Sequence, residues 1–241
     1  RGRPRQALHH VDAALAAVRD HPDLVDVHVS LLDDRVATLH ALDRFDEADR
    51  CMAEARQLIV RRDGRGSAGL PVPAAVHAFW LGRWDQAIVE LDAVPQAASE
   101  VTLYGLRRRG AIVLRHGMTA LIAGLRDDER QLENHLRAAA DLPFSVGAEK
   151  DHAEFLMAAR ALAAERRGEL EEALAALQPM LELDRPWAAR HQWLPAVVRL
   201  ALRAGRTDLA QDVCEVAEAG KRQEDAPGRA TAAATWCHGL L

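Results

Sequence analysis

Apolar and polar positions alternate along this chain with the period of a helix, and they do so in units that resemble one another. The stretches "LDRFDEADRCMAEA" from Leu42, "LGRWDQAIVELDAV" from Leu81, "RGELEEALAALQPM" from Arg167 and "AGRTDLAQDVCEVA" from Ala204 align without a gap. Each opens on a turn residue (Asp43, Gly82, Gly168, Gly205), followed two positions later by Phe45, Trp84, Leu170 or Thr207. A small residue comes next, at Ala48, Ala87, Ala173 and Ala210, and apolar positions return four and seven further on: Met52 and Ala55, Leu91 and Val94, Leu177 and Met180, Cys214 and Ala217. That spacing is one face of an amphipathic helix. The turn residue ends the helix before it by taking a left-handed conformation, and the small residue marks a close helix crossing, where a larger side chain overpacks at a cost of roughly 1–3 kcal/mol.

Two weaker units follow the same spacing, one at Ala7, Val11 and Ala14 and one at Leu132, Leu136 and Ala139. The anchors at 7, 48, 87, 132, 173 and 210 stand 41, 39, 45, 41 and 37 residues apart. First helices of each pair are expected at 24–42, 72–81, 101–125, 149–167 and 187–204, with a last one from Arg229, giving about eleven helices. The Gly-x-aromatic-x-x-Ala opening of "LGRWDQA", with Pro143 and Pro186 near the ends of units, resembles the tetratricopeptide repeat. The intervals exceed the ~34 residues usual for that repeat, and Pro179 falls inside a second helix. The resemblance implies an all-α fold, a tetratricopeptide-like α-α superhelix (α-solenoid) with a concave face, running as one repeat domain through 1–241. HEAT-like helix pairs would give a similar stack.

Composition agrees with packed helices: 49% of residues are hydrophobic but only 4% aromatic. The formal charge of -5 at pH 7 comes from interleaved acids and bases, a solvated helical surface rather than a phosphate-neutralising one, so no direct nucleic-acid contact is expected. Cys51, Cys214 and Cys237 form no C-x-x-C pair, which indicates neither a disulfide framework nor a thiol zinc site and fits a reducing cytoplasm. No apolar run approaches the roughly 20 residues of a membrane span. The chain opens on Arg1 and closes inside the helical "ATWCHGLL", so it reads as a fragment of a larger protein.

Several short motifs invite a chemical reading. Gly64, Gly66 and Gly69 have the G-x-G-x-x-G spacing of a dinucleotide loop, but a helix precedes them and Leu-Pro-Val-Pro follows, where a strand and an immediate helix are required. Residues 61–73 therefore read as a flexible loop between repeats. "RGRPR" at the start matches an AT-hook core, yet Pro4 suits the first turn of a helix. Asp33-Asp34 and Asp127-Asp128 lack the third acid of a magnesium-binding D-D-x-x-D and read as solvated helix faces. His9-His10, His152 and His191 lack metal-binding partners at helical spacing. No catalytic, cofactor-binding or metal-ligating set is expected in this fragment, and it is not expected to be an enzyme.

Tetratricopeptide geometry would place His40, Trp80, Glu165, Arg166, Arg199 and Arg203 in the groove, where arginines suit an acidic peptide or a carboxylate. Trp84 is expected in the repeat core. The stretches "HAFWLGRWDQAIVELDAV", "RHGMTALIAGLRDDERQLENHLRAAADLP", "WLPAVVRLALRAGRTDLAQDVCEVAE" and "ATAAATWCHGLL" resemble the helical-repeat region of the large ATP-binding, maltose-regulator-like transcriptional regulators of the LuxR family. Lys150 and Lys221 are the only lysines, an arginine bias that fits an actinobacterial source. The resemblance implies a sensing and coupling module whose concave groove takes a protein or small-molecule effector, flanked in the parent protein by an ATPase and a helix-turn-helix domain. Homo-oligomerisation is compatible with it. The competing reading is a free-standing tetratricopeptide adaptor that captures a peptide or protein.

Overall fold

In the computed structural model, residues 3–61, 70–94, 108–142, 152–181, 190–222 and 228–241 are described, and among them every regular element is helical. The helices are α1 (Pro4–Val18), α2 (Val25–Ala41), α3 (Phe45–Arg61), α4 (Pro71–Trp80), α5 (Trp84–Asp92), α6 (Arg108–Leu125), α7 (Glu129–Ala138), α8 (Ala153–Arg166), α9 (Leu170–Leu181), α10 (Arg190–Arg203), α11 (Thr207–Lys221) and α12 (Gly228–Leu240). That is twelve where about eleven were expected. A short 3-10 turn, Pro22–Leu24, leads into α2. The chain divides into two compact units, residues 2–98 and 99–241.

Five helical hairpins recur: α2–α3 and α4–α5 in the first unit, α6–α7, α8–α9 and α10–α11 in the second. One turn builds all five. Its central residue takes a positive φ, 58° at Asp43, 72° at Gly82, 61° at Asp127, 81° at Gly168 and 72° at Gly205. The next amide donates back to the carbonyl five residues earlier: Arg44 to Leu39 (2.9 Å), Arg83 to Ala78 (2.9 Å), Asp128 to Ala123 (2.9 Å), Glu169 to Ala164 (2.9 Å) and Arg206 to Ala201 (2.8 Å). This is the Schellman closure, which satisfies carbonyls that a helix end leaves open. Five residues past each turn centre stands Ala48, Ala87, Leu132, Ala173 or Ala210, none more than 1% exposed. The repeat spacing seen in the sequence is thus the spacing from a left-handed turn residue to a buried crossing point.

Leu132 departs from the small-residue rule because its partner helix supplies the space. A Cβ on Gly124 of α6 would lie 3.4 Å from the Leu132 Cδ2, and one on Gly117 would lie 2.5 Å from the backbone nitrogen of Leu156. The glycines of α6 thus let α7 and α8 approach it closely. Helix α8 is buried almost all round, through Phe155, Leu156, Ala159 and Ala164 among others, as befits a helix packed by α6, α7 and α9. Burying a Phe or Leu side chain of this kind contributes about 1.5–3 kcal/mol. In the first unit Leu39, Met52 and Leu91 are almost wholly enclosed. Helix α12 packs on α10 and α11.

Three expectations are corrected. In α1 the buried positions are Leu8 and Leu15, while Ala7 is exposed and Val11 and Ala14 are half-buried. The larger side chains, one position later than the expected face, claim the contact with α2. At the interval 61–73, Arg61 still belongs to α3 and helix α4 opens at Pro71, with Leu70 buried in helical geometry before it. Proline needs no amide partner in a first helical turn, so Pro71 and Pro73 start the helix instead of postponing it; 62–69 lie outside the described residues. Lastly, Asp127 and Asp128 are not a helix face: Asp127 is the turn centre, and Asp128 caps α7 by accepting from the Gln131 amide at 3.1 Å. Pro143, Pro186 and Trp187 lie outside the described residues, as do Arg1 and Gly2 of the hook-like start.

Candidate functional site

The polar side chains of the first helices do not stand alone; they reach to the neighbouring hairpin. In the first unit His40, from the last turn of α2, meets His77 of α4, with Nε2 and Nδ1 2.7 Å apart and the rings stacked at 4.9 Å. The Nε2 of His77 lies 2.9 Å from the Asp49 Oδ1 on α3. Arg83, the residue before α5, grips both oxygens of that carboxylate, at 2.9 and 2.8 Å. A carboxylate only accepts, so His77 donates from Nε2 and, when neutral, accepts at Nδ1 from His40. The bidentate hydrogen bond of Arg83, aided by that of His77, holds Asp49 down at about 2 against the effect of its burial. Both histidines are buried, His40 at 8% and His77 at 3% exposure, and Phe45 covers the His40 ring at 5.2 Å.

The second unit carries a matching cluster. Glu165, in the last turn of α8, accepts from Arg199 and Arg203, one turn apart on α10, with the Arg199 Nη2 to Oε2 contact at 2.7 Å. The Glu165 side chain is only 13% exposed, and the Arg199 hydrogen bond, with the charges of both arginines, pulls its carboxyl below the ordinary 4.5 despite burial. Its neighbour Arg166 turns the other way and donates to the Gly124 carbonyl and the Asp127 carboxylate, both at 2.5 Å, in the α6–α7 turn. Consecutive residues of α8 thus hold the hairpins before and after it. Arg206 to Glu171 (3.1 Å) and, in the first unit, Arg56 to Glu90 (2.6 Å) repeat the arrangement.

Of the six expected groove residues, Glu165, Arg199 and Arg203 come together, Arg166 joins a separate pair, and His40 and Trp80 belong to the other unit. Trp80 packs edge-on against Phe79 at 5.0 Å, and Trp84 stacks on the same ring at 6.4 Å, half-buried rather than enclosed. The guanidinium groups of Arg166, Arg199 and Arg203 already face carboxylates of this chain. Asp33, read from sequence as solvated, is instead partly buried, and burial together with the charge of Asp34 raises its carboxyl to about 7. Sequence reasoning passed over His77, Asp49 and Arg83; the available signal was that His40 and His77 both fall in the last turn of a first helix. Among the described residues no three His, Cys, Asp or Glu are placed to hold a metal ion, and no helix is long and apolar enough to cross a membrane. No family model, curated protein or solved structure matches the chain.

Proposed function

We propose that this chain is a helical-repeat interaction module, tetratricopeptide-like in design, that acts as the sensing and coupling arm of a LuxR-type transcriptional regulator. The observation that carries the repeat reading is the fivefold recurrence of one hairpin: a left-handed turn residue, a carbonyl closure five residues back, and a buried crossing residue five residues on. Modules of this kind stack through nearest neighbours and present extended surfaces to partners. The clusters around Glu165 and Asp49 suit such a role, because each couples adjacent hairpins through charged groups that a bound carboxylate or guanidinium would compete for. The regulator context rests on the resemblance of the repeat stretches to that family.

Sequencing the gene through both ends of this segment tests the reading. A nucleotide-binding ATPase module upstream and a helix-turn-helix downstream would support it. A reading frame with neither would overturn the regulator assignment in favour of a free-standing adaptor. The non-catalytic part has its own test: magnesium, magnesium-ATP or NAD should leave the melting temperature of the chain unchanged, since a ligand of the native state raises it by mass action. A saturable rise would overturn that part.

A further inference from the structure

Helices α11 and α12 enclose a cleft of about 630 Å³ whose wall includes Cys214, with Glu215, Glu218, Arg222 and His238 around it. Glu218 on α11 pairs with His238 on α12 at 3.3 Å, fixing one helix against the other at this rim. Behind the wall the Cys214 thiol is hydrogen-bonded to that of Cys237, which comes from α12 and is fully buried. Two thiols in direct contact across a helix pair, one bordering an open cleft and the other sealed behind it, have the arrangement of an attacked sulfur and a resolving sulfur.

We infer that Cys214 and Cys237 form a peroxide-sensitive thiol pair, oxidised through the cleft to a disulfide that staples α12 to α11. In the first step the Cys214 sulfur attacks a hydroperoxide: an S–O bond forms, the O–O bond breaks, and the alcohol, or water from hydrogen peroxide, leaves. In the second, the Cys237 sulfur attacks the sulfenic sulfur of Cys214; the S–S bond forms, the S–O bond breaks, and the hydroxyl departs with the Cys237 proton as water. Two thiols lose two electrons, and one peroxide gains them. The order follows from access and from the hydrogen bond. Burial pushes the Cys237 thiol up to about 12, and burial raises Cys214 as well, but there the hydrogen bond from Cys237 works against the rise. Cys214 is therefore the sulfur that ionises more readily, and the reaction should quicken as pH rises.

The test uses the whole chain carrying Cys51→Ala, so that these are its two thiols, treated with hydrogen peroxide under native conditions. Both thiols should disappear together, the intact mass of the monomer should fall by two hydrogens, and peptide mapping should recover the Cys214–Cys237 link; the oxidised form should melt at a higher temperature. Adding Cys237→Ala should stop the reaction at a dimedone-reactive sulfenic acid on Cys214. Adding Cys214→Ala should slow loss of the remaining thiol at least about tenfold. Thiols that react only in denaturant, disulfides that join separate molecules, or an unchanged rate for Cys237 without Cys214 would each overturn the inference. Mapping of the Cys51→Ala protein decides the matter even where a further variant fails to fold.

Discussion

One methyl group at Gly117 should force two helices apart. In Gly117→Ala the added Cβ would stand 2.5 Å from the Leu156 nitrogen and 2.8 Å from its Cα and Cβ, whereas ordinary contacts settle near 3.5–4.0 Å. The obstacle is backbone, so no rotamer change relieves it, and α8 has to retreat by about 1 Å from α6. Leu156 is fully buried, as are Leu114 and Met118 on α6, so the retreat opens gaps in the most enclosed part of the second unit. Overpacking of this kind costs about 1–3 kcal/mol, and the better helix propensity of alanine returns about 1 kcal/mol. A net loss of about 1–2 kcal/mol should follow, or a few degrees of melting temperature at about 2–4 °C per kcal/mol. Gly239→Ala is the matched control: it makes the same change within α12, where nothing lies within 4 Å of the new Cβ, and should be neutral or stabilising. Thermal melts of the two variants by far-UV circular dichroism decide it. A Gly117→Ala protein as stable as the parent would refute the close crossing of α6 and α8.

The hairpin register makes a second prediction: Ala173→Trp, at a wholly buried crossing, should lower the melting temperature by far more than Ala175→Trp on the exposed face, and equal effects would defeat the register. Asp43→Gly should stabilise the first unit by up to about 1 kcal/mol, because glycine adopts the observed φ of 58° without steric cost; a drop in stability would mean that the Asp43 side chain does more than tolerate the turn. Glu165 has its carboxyl lowered in the folded chain, so its contribution is fully present above the ordinary 4.5 and is lost as pH falls through the depressed value. Glu165→Gln should cost about 1 kcal/mol near neutral pH, since the arginines are partly exposed, and should flatten the acid side of the stability profile. An unchanged acid slope would show that the cluster adds nothing.

Much of the fold is written locally. The turn glycines and crossing alanines lie five residues apart, within one turn and the first turns of one helix, so hairpins centred on Gly82, Gly168 and Gly205 are legible as strings. The hairpin at Asp127 is harder to see because two exchanges conceal it. Aspartate replaces glycine at the left-handed position, and Leu132 takes the crossing site while Gly124 on the partner helix gives up the volume. Neither exchange follows from the unit itself. The same holds for α1, whose buried face depends on what α2 offers it. The polar clusters were legible only as residue types: that Arg199 and Arg203 would converge on Glu165, or His77 on His40 and Asp49, depends on how one hairpin seats on the next. Such seating is a matter of side-chain packing between helices, which a periodic pattern does not encode.

The clamps between hairpins share a property that bears on how each unit forms. Arg56 and Glu90, Asp49 and Arg83, Glu165 and Arg199, and Glu171 and Arg206 are separated by 34 or 35 residues, about one hairpin and its connection. Each hairpin therefore meets its energetic partners soon after it is synthesised, with a small loop to close each time. Within either unit folding can start at any hairpin and spread to its neighbours, and a whole hairpin can be duplicated or excised over evolutionary time while the seams on either side keep the same chemistry.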